Sequence, residues 1–132
     1  MSISSNIVAL KQTNTKSELS LTVEQHANCG TLFVTAIADS NCCIKKVLIQ
    51  GGKNGSCIMV HARTYQEFVN LGLRNNISLD ELIAIPKGQF CGKATGTLRN
   101  GTSSCVDAIS KAIFSLQVML EARKQEILTK SA

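Results

Sequence analysis

The chain has 132 residues, of which 44% are hydrophobic and 17% charged, and we expect residues 1–132 to form a single globular domain. Lys and Arg outnumber Asp and Glu by 14 to 9, which gives a formal net charge of +5 and favours anionic partners. Only 4% of the residues are aromatic and none is tryptophan, which argues against a base-stacking surface for single-stranded nucleic acid. There is neither an apolar run of membrane-spanning length nor a signal peptide pattern, so we expect a cytoplasmic protein.

Strand patterns occupy the N-terminal part of the chain. Residues 18–24 alternate apolar and polar side chains, and residues 31–38 and 43–50 are apolar and rich in β-branched residues. The turn-forming residues 39–41 separate the last two segments, which predicts a three-stranded antiparallel meander. Residues 7–11 can add a fourth strand.

Helix patterns follow the strands. Ser56 offers an N-cap to a helix that runs to about Leu71, and Gly72 is its expected stop. Residues 78–81 fit a capping box, which predicts a short helix that ends by Pro86.

The last predicted helix opens at a second capping-box pattern, Ser104-Cys105-Val106-Asp107. If it reaches Ile127 it is roughly 34 Å long, so we expect part of it to pack on another subunit. Its apolar stripe consists of Ala108, Ile109, Ala112, Ile113, Leu116, Met119 and Leu120. The sequence therefore predicts an α+β fold, in which an N-terminal antiparallel sheet of three to four strands packs with helices and a long C-terminal helix.

The six cysteines form no CxxC pair, and the two histidines lack metal-type spacing. In a reducing compartment the cysteines can be buried thiols, metal ligands or nucleophiles, and we expect mainly buried thiols. Cys105 is the best candidate for a reactive thiol, because the first turn of a helix stabilises a thiolate. No His or Asn partner in the sequence identifies it as a nucleophile.

Two glycine-rich loops, residues 51–55 and 92–104, each precede a predicted helix. Free backbone N–H groups at a helix N-terminus can hold phosphate, and Lys53, Lys93 and Arg99 are placed to assist. The loops match neither GxGxxG nor GxxxxGK[ST], which excludes the ordinary dinucleotide and P-loop motifs. Plain glycine turns are the alternative interpretation.

Asn100 lies in the second loop and Phe90 two residues before that loop begins, and each has two interpretations. Phe90 either anchors the loop or stacks on a nucleobase. Asn100, which precedes Gly101, is either a left-handed turn residue or a reader of a base edge or ribose hydroxyl.

Three segments resemble, in order, the TSCPD domain family: residues 51–55, 87–92 and 103–109. The resemblance covers about residues 29–113. The family is named for a Thr-Ser-Cys-Pro-Asp motif, and it occurs at the tail of cobalamin-dependent ribonucleotide reductases and as small stand-alone proteins.

The chain departs from the family pattern at three positions. Ser103 replaces Thr and Val106 replaces Pro, while Lys53 occupies a place where small members often carry cysteine. Lysine in place of a metal-ligating thiol would turn that position of a metal site into an anion-binding position, so we expect no bound metal.

The chain also resembles the first Thoeris anti-defence family of phages, in being small, basic and equipped with a long C-terminal helix. This resemblance implies an oligomeric sponge in the host cytoplasm that sequesters cyclic ADP-ribose signals, and in some members cyclic di- or trinucleotides. The resemblance implies that Phe90 stacks on the ligand and that Asn100 reads a base. The ligand-binding arginine of that family would correspond to Arg99 or Arg123.

We therefore expect a non-enzymatic homodimer or higher homo-oligomer that binds a phosphate-bearing cyclic nucleotide, without a cofactor, and that binds neither nucleic acid nor membrane. Arg99, Lys93 and Lys53 would neutralise charge, and backbone N–H groups of Ser103 and Ser104 would donate hydrogen bonds. No general acid–base pair is evident in the sequence.

Three alternatives stay open at this point. The first is an accessory domain of cobalamin-dependent ribonucleotide reductase, in which Cys91 and Cys105 would perform redox or metal chemistry. The second is a reactive-cysteine enzyme that uses Cys105, and the third is a nucleic-acid binder.

Overall fold

The computed structural model describes residues 6–12, 18–27, 30–51, 57–87 and 104–131. These residues form four strands followed by three helices, as the α+β prediction requires. The strands are β1 (Asn6–Gln12), β2 (Leu19–Ala27), β3 (Gly30–Ala38) and β4 (Ile44–Gly51). The helices are α1 (Cys57–Arg74), α2 (Leu79–Ala84) and α3 (Cys105–Ser131).

The strands form one antiparallel sheet in the order β1-β2-β3-β4, so every strand pairs with its neighbour in sequence. The predicted meander is confirmed, and the fourth strand is present as β1. Along β2 and β3 every second side chain is buried, which is the period-two pattern of a sheet with one covered face. That face contributes Leu21, Val23, Leu32, Val34, Ala36, Val47 and Ile49 to the core.

The turn between β3 and β4 is organised by Asp39, as the turn signal predicted. Its Oδ1 accepts hydrogen bonds from the backbone N–H groups of Asn41 at 2.9 Å and Cys43 at 3.0 Å. Partial burial alone would raise the pKa of Asp39, but these two bonds and the Lys45 ammonium group at 3.6 Å bring that pKa below its ordinary value.

Helix α1 packs beside β4 and covers its free edge. The Asn70 side chain accepts a hydrogen bond from the Val47 N–H at 2.8 Å and donates one to the Val47 carbonyl oxygen at 2.9 Å. One helical turn earlier, Gln66 accepts from the Ile49 N–H at 2.9 Å. The side chains of α1 thereby satisfy backbone groups that an edge strand otherwise leaves open to pairing with another chain.

The prediction that α1 stops at Gly72 is wrong. Gly72 is a buried position inside the helix, and a Cβ there would lie 2.7 Å from both Cδ atoms of Leu82. The helix ends instead at Arg74, and Asn76, two residues beyond it, has a φ of 61°. The Ile77 N–H donates to the Gly72 carbonyl and the Asn76 N–H to the Leu73 carbonyl, the bonds of a Schellman motif.

Helix α2 begins after Ser78, but the expected capping bond from the Ser78 side chain is absent. Its C-terminal carbonyls find other partners. Pro86 has no N–H to offer Leu82, and the Leu82 carbonyl instead accepts from the Tyr65 hydroxyl. The Ile83 carbonyl accepts from the Ser110 hydroxyl at 2.6 Å. Side chains of α1 and α3 thus hold α2 in place.

Helix α3 is 27 residues long, or about 40 Å, and therefore exceeds the prediction that it reaches Ile127. The predicted apolar stripe is confirmed: residues from Ala108 to Leu120 pack into the core against β2 and β3, with Met119 partly buried at the margin. Beyond Leu120 the helix is half-buried or exposed, including Ile127 at 47% and Leu128 at 55%. Among the described residues, no helix is both long and apolar enough to cross a bilayer.

Candidate helix N-terminal site

Helix α1 runs antiparallel to β4. The Asn70 side chain bonds to Val47 and the Gln66 side chain to Ile49. Residue numbers therefore decrease along the helix in the direction in which they increase along the strand. The N-terminus of α1 consequently lies at the end of the sheet where β4 finishes at Gly51.

Helix α2 links the other two helices. Ser110 contacts Ile83 and Gln117 contacts Asp80, so α3 runs antiparallel to α2 and starts on the side where α2 ends. Near the end of α1, Gly72 lies against Leu82 of α2. Helix α2 therefore bridges the C-terminal part of α1 and the N-terminal part of α3.

The N-termini of α1 and α3 can each attract an anion. Each N-terminus carries roughly half a positive charge and several backbone N–H groups without a helical acceptor. The segment that leads from β4 into α1 spans residues 52–56, and the segment that leads into α3 spans residues 88–103. Both lie outside the described residues, so the site is defined here by the helix ends themselves.

Ser104 caps α3 as predicted. Its Oγ accepts a hydrogen bond from the Asp107 N–H at 3.0 Å, and its carbonyl accepts the first helical bond from the Ala108 N–H at 2.9 Å. This serine thus uses both oxygens within the helix, and the Val106 N–H precedes the helical bonding pattern. The first turn can offer that donor to an anion.

Asp107 is completely buried in this first turn, a role that the sequence analysis did not assign to it. Its Oδ2 lies 3.1 Å from the Lys111 Nζ, and the lysine side chain is 39% exposed. A carboxylate near a helix N-terminus is favourable for the helix but repels an anionic ligand, and the lysine offsets that charge. The four-residue spacing of an Asp and a Lys was the signal for this pair.

Gly51 has a packing explanation. A Cβ at this position would lie 2.6 Å from Leu32 Cδ2 and 3.0 Å from the Thr31 carbonyl oxygen. Close contact with β3 therefore requires glycine at the end of β4, independently of any ligand.

Most of the predicted ligand-binding residues lie outside the described part of the chain: Phe90, Asn100, Arg99, Lys93, Lys53 and Ser103. Ser104 and Arg123 are described, and they do not lie together. They stand 19 positions apart on one helix, or about 28 Å along its axis. Within one chain, Arg123 cannot reach a ligand bound at the N-terminus of α3.

Three cysteine side chains are described, and they differ in exposure. Cys105 is buried with 4% of its surface exposed, whereas Cys42 is half-buried and Cys43 exposed. The expectation of buried thiols is right for Cys105 and wrong for Cys43. Burial of Cys105 also weighs against the reactive-cysteine alternative, since such a thiol needs access to its substrate. Within the described ranges no three His, Cys, Asp or Glu side chains cluster as metal ligands do.

The chain is similar to a known protein family. The model of the TSCPD domain family matches residues 8–117, which extends beyond the resemblance expected for residues 29–113 in both directions. No curated protein and no solved structure matches the chain. Since the match takes in β2 to β4, all of α1 and α2 and the first half of α3, this chain belongs to the TSCPD domain family.

Proposed function

We propose that this protein binds a phosphate-bearing cyclic nucleotide of the cyclic ADP-ribose type and sequesters it without cleavage, in the cytoplasm of a phage-infected host. The observation that carries the proposal is the order of the elements, in which the residues assigned to the ligand lie in the two segments that lead directly into the N-termini of α1 and α3. Two helix ends supply N–H donors and positive potential for one or two phosphates. The net charge of +5 acts in the same direction.

The residues assigned to the ligand supplement these helix ends. Phe90 stacks on the base and Asn100 reads its edge, while Arg99, Lys93 and Lys53 neutralise phosphate charge. The chain reaches all five of these positions within the segments that lead into α1 and α3. Ser103 and Ser104 complete the helix end.

Arg123 joins such a site only from a second copy of the chain, because about 28 Å separates it from Ser104. The proposal therefore includes a homo-oligomer in which α3 of one copy brings Arg123 to the α3 N-terminus of another. The exposed Phe114 and Val118, at 42% and 40%, lie on the outer face of α3 where such a contact would form.

Calorimetry with cyclic ADP-ribose isomers and cyclic dinucleotides tests the proposal. We expect saturable binding to at least one of them, and release of the unchanged ligand on heating, as identified by mass spectrometry. Replacing Arg99 by Ala should weaken binding roughly tenfold or more, because it removes a charge-assisted hydrogen bond. Arg74→Ala, at the far end of α1, is the matched control and should leave affinity unchanged. Failure of the whole panel to bind at micromolar protein contradicts the proposal.

Membership of the TSCPD domain family favours a second candidate, an accessory domain of cobalamin-dependent ribonucleotide reductase that uses Cys91 and Cys105. Metal analysis of the purified chain separates the two functions. Stoichiometric zinc or iron that is lost in Cys105→Ala supports the accessory domain, whereas nucleotide binding by metal-free protein supports sequestration.

A further inference from the structure

Helix α1 carries a second apolar stripe on its solvent side. Its buried face consists of Ile58, Ala62, Tyr65 and Val69. On the opposite side Val60, Phe68 and Leu71 are 51%, 46% and 54% exposed, with Thr64 in line between them. Spacings of four and three residues align these side chains along about 16 Å of the helix surface.

A surface helix normally presents polar residues opposite its buried face. A row of large, half-exposed apolar side chains on that side instead marks an interaction surface. We name the surface made of Val60, Thr64, Phe68 and Leu71 the outer stripe of α1.

Two opposite charges border the outer stripe on one side. Arg63 and Glu67 are both exposed and lie one helical turn apart. Glu67 accepts a hydrogen bond from Gln66, and Arg63 makes no ion pair within the part of the chain that the structure describes. The centre of this pair, near residue 65, is also close to the centre of the stripe.

We propose that the outer stripe of α1 docks against the same stripe of a second copy, with the two helices antiparallel about a two-fold axis near residue 65. A two-fold axis brings each flank of the stripe against the same flank of the other copy. Arg63 of each copy then faces Glu67 of the other, so the interface contains two such opposite-charge contacts. Val60 lies against the second copy's Leu71, so the apolar row covers itself.

The charges favour another copy of this chain over other occupants. A membrane surface selects stripes with basic residues on both sides, and Glu67 opposes that. An unrelated helix would have to match both the opposite-sign pair and the apolar spacing, which a second copy does by symmetry. The contact involves about three turns of helix, so it is smaller than a standard interface and its strength should depend on concentration.

This interface is separate from the proposed contact through α3 and does not depend on the proposed function. A chain with one self-complementary surface on α1 and another on α3 assembles beyond a dimer. Loss of the α1 contact should lower the size of the assembly while each remaining copy keeps its helix N-termini.

Charge reversal across the two-fold axis tests the proposal. Arg63→Glu alone places two carboxylates together across the axis, and Glu67→Arg alone places two guanidinium groups together. Each variant should show a smaller mass than the wild type in sedimentation velocity at equal concentration. An equimolar mixture of the two single variants restores opposite-sign contacts, and so does the double variant, and both should recover the wild-type mass. All substituted side chains are exposed, so the fold is retained.

Arg74→Glu is the matched control, since it makes the same charge change on the same helix beyond the stripe, and it should sediment like the wild type. Three outcomes overturn the proposal: a wild-type chain that stays monomeric at the highest soluble concentration, single variants that assemble like the wild type, or a mixture that fails to recover. The mass measurement uses no nucleotide, so its failure is distinct from failure of ligand binding.

Discussion

Asn70 shows how a single buried side chain can fix the position of a helix on a sheet. Its amide pairs with both the N–H and the carbonyl of Val47, and only 5% of the residue is exposed. Asn70→Leu keeps the number and branching of the side-chain heavy atoms but leaves two buried backbone groups without partners. We expect the free energy of unfolding to fall by about 2–4 kcal/mol. Urea denaturation measures it, with Asn75→Ala as the control.

In that control, the exposed Asn75 side chain donates to the Leu71 carbonyl, and its removal should cost less than about 1 kcal/mol. Equal losses for the two variants would mean that covering the β4 edge contributes nothing beyond an ordinary surface hydrogen bond.

Tyr65 gives the stability a pH dependence at the alkaline end. Burial raises the pKa of its hydroxyl, which also donates to the Leu82 carbonyl, above the ordinary value near 10. The unfolded chain therefore ionises first as pH rises, so the contribution of Tyr65 is full below pH ~10 and is lost above it.

Tyr65→Phe tests this dependence. The variant should lose about 1–2 kcal/mol at neutral pH, because the Leu82 carbonyl loses a donor that Pro86 cannot replace. Between pH ~9 and ~11 its unfolding free energy should fall less steeply than that of the wild type in parallel urea titrations. Parallel slopes would show that Tyr65 ionises equally in both states.

At the scale of elements, the end of α1 depends on backbone conformation at one residue. Asn76 holds a φ of 61°, which glycine adopts without the steric cost that a Cβ imposes. Asn76→Gly should therefore raise the melting temperature slightly, by an amount that corresponds to about 0.5–1 kcal/mol. Asn75→Gly, at the preceding position with a negative φ, should lower it. The opposite order of the two glycine variants in thermal unfolding would contradict the Schellman assignment.

The same helix end shows where sequence patterns stop being informative. Apolar and β-branched patterns predicted β2 to β4, with β1 as a possible addition, and apolar spacing predicted α1 and α3, because those patterns reflect one-sided burial. The short helix α2 was predicted from its capping box and Pro86. The helix end predicted at Gly72 was wrong because the glycine is required there by close packing against Leu82, ten residues later, and not by the local backbone conformation. The pairing of Asn70 with Val47 likewise joins residues 23 positions apart.

The candidate site was also predictable only where a local sequence pattern determines it. Ser104 was identified from its capping pattern, and its bond to the Asp107 N–H is formed. The complete burial of Asp107 could not be predicted, since an acidic residue in a first helical turn is usually exposed.

At the scale of the whole molecule, the length of α3 decides how a complete site can be assembled. If a site combines Phe90 of one copy with Arg123 of another, then Phe90→Ala and Arg123→Ala each abolish both sites of a homodimer. A mixed dimer of the two variants retains one intact site, which has Phe90 from the Arg123→Ala chain and Arg123 from the Phe90→Ala chain. After random exchange of subunits, we expect the mixture to bind about a quarter of the wild-type amount of ligand in calorimetry. If instead each site were formed by a single chain, mixing the two variants would restore no ligand binding. Arg123 would then play no part in the site, because a distance of about 28 Å separates it from Ser104.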